Sequence, residues 1–293
     1  MPYPVVESVP LAPAVQKLVI RAPHVVRNHG PGQFVIVRGS PDGERIPLTI
    51  AHADKAAGLV TLVVQAIGAS TTQLCGLRAG DSLCDIVGPL GRKTDIHHVG
   101  HAVVVGGGVG TAVVYPQAGA LKAAGNFVSA IVGGRSRPLV ILEKELAQVA
   151  DQVFPCTDDG SYGFHGLVTQ RLESLVAESA ADRPVREVIC AGPVPMMRAV
   201  AALTRPLGIR TIASLNPIMV DGTGMCGGCR VQVGGRTLFA CVDGPEFDAH
   251  EVDFAELADR LGAYREQERA AMERHACRLA QAAADLEAAN KSS

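Results

Sequence analysis

Residues 103–112 read VVVGGGVGTA. The β-branched run makes a strand, the glycines make a sharp turn, and Thr-Ala opens a helix. A strand that passes straight into a helix meets its next strand by a crossover, and crossovers build parallel sheets covered by helices. The stretches that follow keep this rhythm: FVSAIVGGR, PLVILEKELAQVA, GLVTQRLESLVAE, REVICAG and PVPMMRAVAALTRPLG alternate strand and helix. The expectation is an α/β doubly wound parallel sheet over residues 98–215. Gly106, Gly107, Gly108 and Gly110 would let backbone N–H groups approach a pyrophosphate, whose charge the helix N-terminus favours. A plain tight turn is the competing reading; the strand–turn–helix setting favours a dinucleotide.

Before residue 98 the pattern differs. VQKLVIRA, FVIVRG, LVTLVVQAI and SLCDIVG are short apolar runs separated by stretches such as NHGPGQ and SPDGER. Strands punctuated in this way predict a β-barrel or sandwich over 1–97. Residues 216–255 bring glycine, cysteine and a hairpin signal at Gly234-Gly235. From 256 to 293 the chain reads as a C-terminal helix rich in Ala, Glu, Arg and Gln, a surface or partner-binding element.

Hydrophobic residues at 47% supply material for full cores, and a net charge of −2 gives no reason to expect nucleic acid. No apolar run is long enough for a bilayer, so membrane insertion is not expected. The N-terminus lacks the basic and apolar regions of a secretory signal. That points to the cytoplasm, where the eight cysteines would be reduced or metal-bound. Cys75, Cys84, Cys156 and Cys277 are scattered and read as small apolar residues.

Three further stretches carry polar groups at strand ends. In ERIPLTI, Arg45 suits a diphosphate and Thr49 a ring nitrogen, against an exposed arginine and an ordinary strand threonine. IGASTTQL places a glycine before three hydroxyl residues, which either cap a helix or bind phosphate. CTDDGSYG and AGPVPMM each follow a strand, where ligands of open α/β sheets gather.

MVDGTGMCGGCRV, residues 219–231, spaces Cys226 and Cys229 as C-x-x-C. The hairpin returns Cys241 to the same place, giving three thiols for zinc or an iron–sulfur cluster. Asp221, Asp243, Asn216 and His250 remain open as the fourth ligand. A thioredoxin-like dithiol would leave Cys241 surplus.

These motifs, in this order, resemble the ferredoxin–NADP reductase superfamily, in the branch that contains the electron-transfer subunit of dihydroorotate dehydrogenase. Within it the chain looks most like the small subunit of the electron-bifurcating NADH-dependent ferredoxin–NADP reductase, also described as a sulfide dehydrogenase subunit. The likeness spans about residues 3–260 and rests most specifically on MVDGTGMCGGCRV with FACVDGPEFD. It implies a β-barrel FAD domain, a nucleotide-binding domain and a C-terminal [2Fe–2S] segment. Carried over, Arg45, Pro47, Leu48 and Thr49 contact FAD, with Thr49 near the isoalloxazine as the catalytic candidate. Gln65, Gly68, Ser70 and Thr71 join the FAD set. Gly106–Gly110, Asp158, Gly192 and Pro193 border NAD(H). Arg135 is a candidate for the 2′-phosphate of NADP(H), although the resemblance favours NADH.

The implied cluster ligands are Asp221, Cys226, Cys229 and Cys241. The dihydroorotate branch has cysteine in the first place, and the bifurcating branch has aspartate. Many members of the superfamily carry a cysteine just before Gly-Pro; here that position is Ala191, with Cys190 one place earlier, and Val113 replaces a usual proline. The implied activity passes electrons from NAD(H) through FAD and the cluster to a larger flavin and iron–sulfur subunit, and to ferredoxin through the complex. The alternatives are a dihydroorotate dehydrogenase subunit, a stand-alone flavin reductase and a zinc-stabilised nucleotide-binding regulator.

Overall fold

The computed structural model describes residues 3–41 and 43–274. Seven strands come first: β1 (Tyr3–Ala12), β2 (Val15–Arg21), β3 (Phe34–Arg38), β4 (Ile46–Asp54), β5 (Leu59–Gln65), β6 (Ser82–Leu83) and β7 (Asp85–Leu90). They form one antiparallel sheet in the order β6-β1-β2-β5-β4-β3-β7. The two edge strands are separated in sequence only by Cys84, so the edges meet and the sheet is a nearly closed barrel. Leu18, Ile20, Val35, Val37, Ile50 and Leu62 fill it.

Strand β3 is buried on both faces. Side chains alternate along a strand. Val35 and Val37 therefore join the barrel core, while Phe34 and Ile36 join a second core with Leu215, Met219, Cys229 and Cys241. The FVIV run thus fixes the face of the barrel on which the cysteine loop lies.

The second unit contains β8 (His101–Gly107), α3 (Gly110–Ala123), β9 (Phe127–Gly134), β10 (Gln152–Thr157), β11 (Phe164–His165), α5 (Val168–Glu178), β12 (Val185–Ala191), α6 (Val194–Thr204) and β13 (Arg210–Ser214); α1 (Pro23–Val26), α2 (Ala69–Cys75) and α4 (Glu143–Leu146) are short. Its sheet runs β11-β10-β9-β8-β12-β13 with every pair parallel. The order reverses direction between β8 and β12, which opens a crevice at their C-terminal ends.

The hairpin of β14 (Arg230–Val233) and β15 (Arg236–Phe239) turns at Gly234-Gly235, both at positive φ, as a two-residue turn of this kind requires. The chain then adds β16 (Glu246–Asp248) antiparallel to β13, so the cysteine segment is tied into the second sheet rather than standing apart from it. Helix α7 (Phe254–Gly262) starts where Asp253 accepts from the amides of Ala255 and Glu256, both at 3.0 Å. A turn at 263–264 interrupts the predicted C-terminal helix before a second helical run over 265–274; the expectation for 275–293, Cys277 included, lies outside the described residues. No described helix is long and apolar enough to cross a membrane.

Candidate functional site

The glycine turn stands at the reversal point of the sheet. Gly106 pairs with Ala191 in register, which sets the turn beside Gly192-Pro193. Each glycine has a separate reason. A Cβ on Gly106 would lie 2.5 Å from Thr111 Cα, and one on Gly107 would lie 2.5 Å from Met196 Sδ. A Cβ on Gly110 would run into the carbonyl oxygen of Ala191, so the start of α3 packs directly on β12. Gly108 is different: its φ is +56° and nothing lies within 4 Å of where a Cβ would be. It is the one member of the turn that faces open space. On the neighbouring strands, the Asp158 amide donates to Gly134 O and the Asp159 amide to Arg135 O, each at 3.2 Å, which brings Asp158 and Arg135 together. Cys190 is fully buried and its thiol is pushed up to about 12 by burial, so it holds no thiolate there.

On the barrel, the first half of β4 is only partly covered by protein, whereas Ile50 and Ala51 behind it are buried. Pro47, Leu48 and Thr49 occupy that uncovered half, and Arg45 precedes it, exposed. Strand β5 runs antiparallel to β4, so Gln65 ends near the same place. Helix α2 starts there too. Thr71 Oγ1 accepts from the amides of Ile67 at 3.0 Å and Gly68 at 2.9 Å. Ser70 Oγ donates to Glu44 Oε2 at 2.7 Å, linking the turn to the residue before Arg45. The hydroxyl-rich IGASTT stretch therefore both caps a helix and adjoins the uncovered strand. This is a shallow cradle with cationic and hydroxyl edges, and its residue types fit a flat ring carrying a diphosphate.

The cysteine loop lies against that barrel face. A Cβ on Gly222 would come within 2.6 Å of Leu90 Cδ1 and 2.8 Å of Ile36 Cδ1. The Asp221 carboxylate accepts from the Thr223 amide at 2.9 Å and the Cys226 amide at 2.8 Å. Those bonds, Thr223's first, hold it below the usual carboxylate range. Cys226 is exposed and its sulfur accepts from the Gly228 amide at 3.4 Å. Cys229 and Cys241 are buried with their sulfurs 3.2 Å apart. Burial and the neighbouring Cys229 push the Cys241 thiol up to about 12, and Asp221 adds to this. A bound metal would reverse that tendency, since coordinated thiols lose their protons.

Among the other candidates for the fourth ligand, Asp243 accepts from the Phe239 amide at 2.9 Å and His250 Nε2 bonds Thr204 Oγ1 at 3.0 Å. Asp221 alone of the hydrogen-bonded acids touches a cysteine backbone. Three thiols and a carboxylate from one loop suit an iron–sulfur group in donor chemistry. Among the described residues, no three His, Cys, Asp or Glu side chains stand close enough to hold a metal as they are. A cavity of about 170 Å³ joins the loop to the barrel; Asp221 lines it with Arg38, Arg45 and Asp85.

Sequence reasoning missed the double burial of β3 and the strand β16. It also missed Gln117, fully buried in α3, which donates to Glu246 Oε1 at 2.7 Å. A glutamine among the apolar positions of a helix was the available signal.

A nearly closed barrel, a doubly wound sheet and a cysteine loop seated against both define a two-domain electron-transfer protein of the ferredoxin-reductase type. The comparisons agree. Residues 216–253 match the family described as the iron–sulfur cluster binding domain of dihydroorotate dehydrogenase B. A homolog of the electron-transfer subunit of dihydroorotate dehydrogenase B from Thermotoga maritima is 45% identical over 92% of this chain and 94% of its own. The Fusobacterium nucleatum electron-transfer subunit is 30% identical over 84% and 96%. A solved structure of the NADH-dependent reduced ferredoxin–NADP oxidoreductase, described in connection with flavin-based electron bifurcation, superposes with a TM-score of 0.87 at 43% identity, over 93% of this chain and 97% of that one. The chain belongs to the family of electron-transfer subunits that includes those of dihydroorotate dehydrogenase B.

Proposed function

We propose that the chain is the NADH-oxidising flavin and iron–sulfur subunit of a cytoplasmic ferredoxin:NADP oxidoreductase complex, partnered by a larger flavin and iron–sulfur subunit. The observation that carries this reading is convergence: Arg45, just before the partly covered half of β4, lines one cavity with Asp221 of the cysteine loop, and Phe34 and Ile36 share one core with Cys229 and Cys241. FAD bound there would supply conversion between two-electron hydride chemistry and one-electron transfer, and a [2Fe–2S] cluster in the 221–241 loop would supply a one-electron relay.

The chain's own groups bind and orient. Arg45, Gly68, Ser70 and Thr71 take the FAD diphosphate. Pro47, Leu48 and Gln65 flank the ring, and Thr49 Oγ1 supplies a hydrogen bond to it. Gly106, Gly107, Gly108 and Gly110, with Gly192 and Pro193, take the nicotinamide dinucleotide at the crevice, with Asp158 and Arg135 beside its far end. Asp221, Cys226, Cys229 and Cys241 hold the cluster. Ferredoxin receives or supplies electrons through the partner subunit.

A second reading, a dihydroorotate dehydrogenase partner, is favoured by the family description. Asp221 in the first ligand place weighs against it. Anaerobic NADH added to the purified protein should bleach its flavin absorption, and Gly108→Val should abolish the bleaching without removing the flavin. A flavin that NADH leaves oxidised would overturn the reading.

A further inference from the structure

Glu246 opens β16, and its Oε1 accepts from Thr94 Oγ1 at 2.8 Å and from Gln117 Nε2 at 2.7 Å. Three parts of the chain meet at that oxygen. Thr94 lies in the linker that leaves the barrel, Gln117 lies on α3 two turns below the glycine turn, and Glu246 follows the cysteine loop. The Thr94 amide also donates to Pro31 O at 2.9 Å. A Cβ on Gly32 would stand 2.7 Å from Glu246 Oε1, so the barrel loop closes over the acid. Gln117 Oε1 is buried with no partner among the described residues. A buried acceptor of this kind calls for a donor; turning the Gln117 amide over would set this oxygen where the nitrogen now meets Glu246, and a protonated carboxyl there would donate to it.

We propose that Glu246 is a redox-linked proton site: it binds one proton from solvent when an electron enters the cluster held by the 221–241 loop, and releases that proton when the electron leaves. The inference rests on the cofactor reading above. No bond to the cluster forms or breaks; the electron comes from NADH by way of the flavin, and the proton from water. An added electron makes the surroundings more negative, which favours the neutral form of a desolvated carboxyl. Glu246 lies five positions after Cys241, so their Cα atoms are at most about 18 Å apart.

Burial pushes the Glu246 carboxyl above the usual range; the bonds from Gln117 and Thr94 oppose this, and the negative Glu187 adds to it. The other charged groups around the junction are partly neutralised or face outward. Glu187 pairs with Arg210 at 2.5 Å, and Arg92 lies 3.6 Å from Asp243. The Lys93 stem covers Gly30 next to His29, and Asp95 and Asp248 are exposed.

The test is a potentiometric titration of the cluster in the flavin- and cluster-loaded protein at a series of pH values. It is run above the range in which Asp221, held low, titrates. The wild-type potential should fall as pH rises, by up to about 59 mV per tenfold change in proton activity for one proton per electron. Glu246→Gln, which mimics the neutral acid, should keep the melting temperature and flatten that slope. A flat wild-type slope, or an unchanged slope in the folded variant, overturns the proposal. If Glu246→Gln does not fold, the infrared difference spectrum of the wild type decides: a protonated carboxyl band gained on reduction supports the proposal, and its absence overturns it. A protein lacking flavin and iron–sulfur absorption overturns the cofactor reading and this inference together. A flat slope with both absorptions present overturns this inference alone.

Discussion

Gly110→Ala separates the packing role of the glycine turn from its ligand role. The new Cβ would meet the Ala191 carbonyl oxygen, with Ala191 C at 2.5 Å and Gly192 N at 2.8 Å. All three atoms are backbone at the end of the central strand β12, and none can rotate aside. Overpacking typically costs about 1–3 kcal/mol, and a rigid backbone neighbour places this case near about 3 kcal/mol. At about 2–4 °C per kcal/mol for a chain of this size, the melting temperature should fall by about 6–12 °C. Gly108→Ala makes the contrast. Nothing lies within 4 Å of its Cβ, and only the +56° φ is strained, at about 1 kcal/mol or about 2–4 °C. Its methyl group instead enters the open space that the proposed function gives to the dinucleotide. Calorimetry with and without NADH reads both effects. Gly110→Ala should melt lowest, while Gly108→Ala should melt close to wild type and lose most of its stabilisation by NADH. Equal melting of the two variants, or a reversed order, would refute the packing assignment.

Asp221→Cys should retain iron and shift the cluster potential in a redox titration; an unchanged potential removes Asp221 as a ligand. Cys241→Ser should lower bound iron, while Cys156→Ser, buried on β10 and outside the 221–241 loop in sequence, should leave it unchanged by metal analysis. His29 is pushed down to about 4, first by burial and then by Lys55, Lys93 and His52. The unfolded chain therefore takes up this proton before the folded one does, and stability is lost as pH falls from about 6.5 towards about 4. After allowance for solvent screening the loss is about 1–2 kcal/mol. His29→Asn should flatten denaturant midpoints across that window, and a slope equal to wild type would reject the assignment.

The alternation of strand and helix after residue 98 and the Gly234-Gly235 hairpin were legible because local periodicity and turn chemistry determine them. So was the company kept by Gly106 and Gly192, since a doubly wound order brings the ends of its central strands together. The β16 pairing was not legible. Three residues, Glu246–Asp248, carry too little pattern, and the partner strand β13 lies more than thirty positions away. FVIV in β3 reads as one apolar run; only the fold reveals that alternate residues serve two cores. The Asp221 loop divides in the same way. Its residue types were plain, but the amide bonds from Thr223 and Cys226 that fix the carboxylate depend on a backbone path through Gly222 and Gly224, both at positive φ.

The most direct test of the account is metal and flavin analysis of the purified chain, read beside its visible spectrum. The account predicts about one FAD and about two irons per chain, with flavin bands over broad iron–sulfur absorption. A colourless protein holding zinc would contradict it.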